Sequence, residues 1–196
     1  MRRSEFCKVT GITQTTLAAY RRRGALPFDG EHAEPMPADA RRWVQYSIHE
    51  AAKMIAAQVL TNEQGLGWAE ACELLRARKG RGGDSMLVGA IVPGRAPWEW
   101  SPHVARVEFR EAKGDAPSHM PAAFKLYEGD LGAVFEAAAG HVEGYNARVN
   151  FDYQKIEIVS VVSVNLGRAY RIAQVRCEQL GIDPGYTDEP IEGGDG

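Results

Sequence analysis

The chain has 196 residues, 44% of them hydrophobic and 25% charged, with a formal net charge of -3. That is the make-up of an ordinary globular chain, long enough to bury a core as one large domain or two small ones. Three widely spaced cysteines without a CxxC pair (Cys7, Cys72, Cys177) argue against a disulfide framework and a zinc site, no apolar run approaches the ~20 residues of a membrane span, and the opening MRRSEFCKV lacks an apolar h-region, so the expected compartment is the cytoplasm and no membrane contact is expected.

Residues 3 to 9 predict a short helix, with Ser4 as its N-cap and Phe6 and Val9 on one face; Gly11 ends it. Thr13 caps a second helix, on which Leu17 and Tyr20 are three apart and Ala18 and Ala19 keep the profile slim. Gly24 and Pro27 stop it. Helix, glycine turn and capped helix within about 25 residues is the helix-turn-helix spacing. Residues 29 to 40, DGEHAEPMPADA, read as an acidic, Pro-containing loop, and RRWVQYS, 41 to 47, as a short strand. Ser47 caps a helix running to about Val59, with Ala51, Ala52, Ile55, Ala56 and Val59 on its apolar side. After GLGW a further helix spans about 68 to 78.

KGRGGD, 79 to 84, is the best linker in the chain, and a domain boundary is expected there. Beyond it, MLVGAIV, 86 to 92, reads as a buried strand, and 104 to 110 alternates as a half-buried one. AFKLY, 123 to 127, is a further strand candidate. Asp130 caps a helix with Leu131, Val134, Phe135 and Ala138 on one face. Residues 149 to 153 alternate again, and KIEIVSVVSV, 155 to 164, is the strongest strand signal. Asn165 caps a last helix with Leu166, Tyr170, Ala173, Cys177 and Leu180 in one stripe, closed by Gly181. The fold class read from this order is α+β: a mostly helical unit over 1–79, an α+β unit with a largely antiparallel sheet over 84–182, and a Gly/Asp/Glu-rich tail over 183–196, expected to be disordered.

Charge is uneven along this order. Residues 1 to 28 hold six Lys/Arg against Glu5 alone, whereas 80 to 196 hold eleven Lys/Arg against seventeen Asp/Glu. A basic end on an acidic body points to a polyanion facing the first unit only. Arg21, Arg22 and Arg23 read either as a phosphate clamp or as a solvated helix end that complements the helix dipole. The turn pattern upstream and Arg41 and Arg42 on the strand candidate favour the clamp, and Arg2 and Arg3 can join the same patch. Thr13, Gln14, Thr15 and Thr16 form a polar first turn able to bond bases or phosphates; Thr13 is also the cap, which leaves Gln14 and Thr15 as the better readers. Tyr20 reads as a phosphate contact or a half-buried packing residue, and Trp43 as core or wing packing.

Histidines 32, 49, 103, 119 and 141 make no ligand set at helical spacing, so no metal or other cofactor is expected. Trp98, Trp100, Tyr127 and Tyr145 read as core of the second unit rather than an effector pocket. No nucleophile elbow, P-loop or dinucleotide fingerprint is present, and no carboxylate pair stands out, so no enzyme is expected. The stripe on 166 to 180 reads as a sheet-packing surface or a dimer interface.

Three stretches in order resemble the winged-helix DNA-binding domain of the MerR family and its excisionase-like and phage relatives: RSEFCKVTGITQTTLAAYRRRGAL as its first two helices, RRWVQYSIHEAAKMIAAQVL as its wing strand and third helix, and GLGWAEACELL as its fourth. The motif positions are Thr10, Gly11, Ile12, Thr13, Thr16 and Leu17, then Tyr20, Gly24 and Leu26. Ala18 and Ala19 stand where the family has an arginine and an aromatic residue. The resemblance covers residues 1 to 78. It implies a DNA reader whose second helix enters the major groove, with Gln14, Thr15 and Thr16 near bases and Tyr20, Arg21, Arg22, Arg23, Arg41 and Arg42 on the backbone.

The function expected on these grounds is a sequence-specific DNA-binding transcriptional regulator, most simply a repressor, acting on double-stranded DNA as a homodimer. The second unit would serve self-association, partner contact or sensing of a small-molecule or protein effector. Two alternatives stand beside it: a phage DNA-packaging or recombination accessory protein with the same N-terminal module, and a protein-interaction module that has lost DNA binding.

Overall fold

The computed structural model describes residues 1–28, 45–76, 103–111, 123–149 and 155–184. Their elements are α1 (Arg3–Thr10), α2 (Gln14–Arg22), α3 (Ile48–Asn62), α4 (Trp68–Leu75), β1 (His103–Glu111), β2 (Ala123–Gly129), α5 (Leu131–Asn146), β3 (Ile156–Asn165) and α6 (Leu166–Leu180). The class is α+β. The sheet has three antiparallel strands in the order β2-β1-β3, with Val107 opposite Lys125 on one side and Val161 on the other. The expected strand at 86–92, residues 41–44 of the one expected at 41–47, most of 149–153, the boundary at 79–84 and the tail from 185 lie outside the described residues; over 45–47 the structure has an isolated bridge at Gln45 in place of a strand.

The helix starts follow from local chemistry. Thr13 Oγ1 accepts the Thr16 N–H at 3.0 Å, Asp130 Oδ1 that of Ala133 at 2.9 Å, and Asn165 Oδ1 that of Arg168 at 2.8 Å. At α3 the bond is reciprocal: Ser47 Oγ accepts from the Glu50 N–H while Glu50 Oε2 accepts from the Ser47 N–H at 2.7 Å. The first helix departs from expectation. It has Arg2 as its N-cap, and Ser4 lies inside it; the orphan N–H of Arg2 is met by the Glu5 carboxylate at 2.6 Å. Gly11 and Gly24 close α1 and α2 at φ 75° and 61°, a region that a Cβ disfavours.

Packing sets α3 at the centre. It meets α1, α4, α6 and β3, and its burial extends beyond the expected stripe to Met54, Ala57 and Leu60. One apolar core joins Phe6, Leu17, Tyr46, Met54 and Leu60 to Val164, Leu166, Tyr170, Ala173 and Cys177. By packing, α6 therefore belongs with the first four helices, although it follows the sheet in sequence. Arg176 Nη1 fastens it there by donating to the Val9 carbonyl at 2.8 Å.

The two faces of the sheet differ. Val104, Leu126, Val162 and Val164 turn to the helical core. Val107, Phe109, Tyr127 and Val161 turn to α5 and form a smaller apolar cluster with Ala138 and Val142. The stripe expected on α5 is only half realised: Val134 and Ala138 are buried, but Leu131 is 38% and Phe135 47% exposed. The helix sits on one sheet face, and a single flat contact covers only part of a 100°-wide stripe. Leu180, expected in the α6 stripe, is also exposed, in the last turn before Gly181.

Candidate nucleic-acid interface

The first turn of α2 carries four polar side chains, and the structure separates their roles. The Thr13 and Thr16 hydroxyls bond each other at 2.8 Å while Thr13 also caps the helix, so this pair is partly spent on local structure. Gln14 and Thr15 are exposed, with no side-chain bond to another described residue. Leu17 is fully buried beneath them and sets the rotation of the helix. Arg3 reaches across from α1 and donates from Nη2 to the Gln14 carbonyl at 2.8 Å. A guanidinium thus stands beside the first turn of α2, bridging eleven residues of sequence.

At the other end of α2, Arg21, Arg22 and Arg23 are exposed and make no ion pair with a described acidic residue. Their turn is held from behind by α4. Trp68 Nε1 donates to the Ala25 carbonyl at 2.9 Å, and Arg76 donates from Nε to Leu26 at 2.9 Å and from Nη2 to Gly24. The Trp68 ring stacks on Tyr20, with centroids 4.4 Å apart and planes 15° from parallel. Tyr20 is therefore a packing residue with one half-exposed side. Arg76 is committed to backbone carbonyls that a helix end and turn would otherwise leave orphaned.

Tyr46 lies behind the same surface, stacked on Phe6 at 4.3 Å. Burial pushes its phenol upward, and Arg21, followed by Arg3, pulls it back, with Glu50 and Cys7 adding small opposing effects. Both ends of the basic surface thus act on one buried hydroxyl. Arg2 is exposed at the start of α1, and its backbone pairs with Gln45 as an isolated bridge. Arg41, Arg42 and Trp43 lie outside the described residues, so this bridge is the described part of the expected wing.

Among the described residues no group of His, Cys, Asp and Glu is placed to hold a metal ion. The three cysteines are free and buried; burial raises all three thiols, Cys72 to about 11, which leaves them protonated and unreactive as nucleophiles. A cavity lined by Glu70, Glu73, Leu74, Arg106 and Leu126 holds about 60 Å³. Small-molecule sites run to roughly 300–1,000 Å³, so this one is too small for an effector. Arg106 fills its polar side with bonds to Glu70 at 2.7 Å and Glu108 at 3.1 Å, and this holds the Glu70 carboxyl below its usual range. Trp98 and Trp100 lie outside the described residues, while Tyr127 and Tyr145 are half-buried. No described helix is long and apolar enough to cross a membrane.

Sequence reasoning missed the Trp68 and Arg76 supports and the reach of Arg3 to Gln14. A buried indole N–H needs an acceptor, which is a signal that Trp68 must bond something. Its partner lies 43 residues away and follows only from the packing of α4 on α2. No protein-family model and no curated protein matches the chain.

Proposed function

We propose that this protein is a sequence-specific DNA-binding transcriptional regulator, most simply a repressor, in which α1, the turn at residues 11–13 and α2 act as the helix-turn-helix of a winged-helix reader. One observation carries the reading: α2 presents Gln14 and Thr15 at one end and, at the other, three arginines without an ion pair among the described residues, on a helix fixed at both ends by Arg3, Trp68 and Arg76. A base reader needs that arrangement, because direct readout requires rigid placement and phosphate contacts set register. Gln14 and Thr15 would meet base edges, with Thr16 and Thr13 at the same turn; Arg21 to Arg23 and Tyr20 would follow the backbone, and Arg41 and Arg42 would extend the contact from the wing. A single reader covers one half-site, so the DNA-bound form would be a homodimer.

The test is a binding titration with genomic fragments, including the protein's own upstream region, at two salt concentrations. Selective binding that weakens with salt supports the reading. Absence of binding at low salt overturns it. The second reading, a protein-interaction module, is favoured by the exposed Leu131 and Phe135 on α5 and Ile158 and Val159 on β3. It is distinguished by partner contact that survives replacement of Arg21 to Arg23 with alanine.

A further inference from the structure

In the order β2-β1-β3 the outer strand β3 is paired with β1 on one side, and among the described residues no strand pairs its other side. Each residue of an antiparallel strand turns its N–H and C=O to the same side, and that side alternates along the strand in step with the side-chain face. Ile156 identifies the residues that turn outward. Its N–H donates to Asn146 Oδ1 at 2.7 Å, and its carbonyl accepts from Asn146 Nδ2 at 3.0 Å. One side-chain amide from the end of α5 thus stands where a neighbouring strand would stand. Ile156 packs in the cluster under α5, and so does Val161, whereas Val162 and Val164 turn to the helical core. The residues on the α5 face of β3 are therefore the ones whose backbone groups point away from β1.

A bulge sets their spacing. Phe109 of β1 is opposite Ile158 and Glu108 is opposite Ser160, so Val159 is the extra residue. The outward groups beyond Ile156 are then those of Ile158, Val161 and Ser163. At Asn165 the strand ends, and the Asn165 side chain caps α6. Because the bulge makes residues 159 and 160 count as one step, Ile158 and Ser163 stand one pairing step on either side of Val161. The free edge is symmetric about Val161, bounded by the Asn146 amide at one end and by the start of α6 at the other. Open edges are ordinarily guarded by lysine or proline. β3 has neither, and its one charged residue is Glu157.

We propose that the outer edge of β3 is a dimer interface, on which β3 of a second copy pairs antiparallel about a two-fold axis at Val161 and joins the two sheets into one. The occupant is a copy of this chain because the edge complements itself. Val161 bonds its counterpart, and Ile158 and Ser163 of each copy bond Ser163 and Ile158 of the other, as an isologous contact requires. No like charges meet, since residues 158 to 165 are uncharged. The exposed Glu157 comes beside the start of the copy's α6, where first-turn N–H groups and the exposed Arg168 favour a carboxylate. The other dimer surface open from sequence, the α6 stripe, is spent on the core through Leu166, Tyr170, Ala173 and Cys177.

The test is sedimentation equilibrium of the full chain between about 1 and 100 μM. It is run without DNA, so its outcome does not depend on the role given to α2. The expected result is a monomer–dimer equilibrium within that range. Ile158→Pro and Ser163→Pro each remove an outward N–H that β1 does not use. Two bonds are lost per symmetric dimer, which raises the dissociation constant roughly tenfold or more, while a cooperative thermal melt confirms the fold. Glu157→Lys changes an exposed side chain and leaves the backbone as it is. It raises the dissociation constant about fivefold by setting a cation at the start of each α6, and it decides the matter if a proline variant fails to fold. A chain that stays monomeric to the highest concentration overturns the proposal, whether the edge is open, covered by the chain's own residues or kept for another protein. A dimer unchanged by Glu157→Lys, or by either proline variant that folds, overturns it too.

Discussion

Helices α3 and α5 are of nearly equal length and both carry many alanines, yet they live in different surroundings. In α3 nine of fifteen residues are buried; in α5 only Val134 and Ala138 of sixteen are. The cause is what surrounds each helix. Elements pack on α3 from several directions, α1, α4, α6 and β3 among them, whereas α5 rests on one face of the sheet. The first region is closely packed and carries the proposed reading helix on its outside. The second keeps apolar and cationic side chains at the surface, where a partner or ligand can reach them. An alanine-rich helix is thus neutral about burial, and its neighbours decide how much of it leaves water.

The comparison breaks most visibly at Phe6, fully buried and ringed by Tyr46 and Phe28. Phe6→Ala is expected to cost about 3–5 kcal/mol in urea unfolding, the range for emptying an aromatic site in a packed core. Next comes the basic turn. Changing Arg21, Arg22 and Arg23 together to alanine should lower DNA affinity roughly 100-fold and make the salt slope shallower by about 0.9 for each phosphate that is no longer neutralised. Unfolding should stay within about 0.5 kcal/mol of the parent, because these side chains are exposed; a thermal melt run beside the binding assay checks both halves.

Arg76→Ala is expected to cost about 2 kcal/mol, since it strips a charged donor from the Gly24 and Leu26 carbonyls. Hydrogen exchange should then quicken over residues 20–26 while α3 keeps its protection. Smaller still is Phe135→Ser on α5, with an unfolding change under about 0.5 kcal/mol. If denaturation shows a destabilisation as large as at Phe6, the contrast between the two helices is wrong.

The last effect appears only with acid. His49 is held below its ordinary value by burial first and by Lys53 second. The unfolded chain therefore takes up that proton before the folded one does. Stability from this site is complete above the ordinary histidine range and declines as pH falls through it toward the depressed folded value. His49→Gln should flatten that decline, measured as the urea midpoint at about pH 7 and about pH 5.

Much of this fold is legible from residue order alone. Thr13, Ser47, Asp130 and Asn165 each cap the helix they precede, because a short polar side chain on an extended residue has one nearby orphan N–H to meet. The alternation of Val107 and Phe109 with Glu108 and Arg110 identified a half-buried strand for the same local reason. Ser4 misled because the helix starts earlier, at Arg3, where the Glu5 carboxylate meets the Arg2 N–H from inside the first turn and no hydroxyl cap is needed. At the candidate interface, Gln14, Thr15 and Arg21 to Arg23 are exposed. The supports behind them were not legible, since Trp68 and Arg76 bond carbonyls 43 and 50 residues away and carbonyls carry no sequence label.

By itself, then, the sequence determined the local features of this protein: where helices start and stop, which strands alternate, and where positive charge gathers along the chain. These depend on neighbours a few residues apart, and short-range sterics and capping bonds decide them. Tertiary structure alone decided that α6 joins the first helices, that α5 stays half in water, and that Lys125 of β2 meets His141 of α5. Those outcomes depend on which apolar faces find each other across long stretches of chain. Burial is non-directional, so the pattern of apolar residues states that a face must be covered and leaves open what covers it.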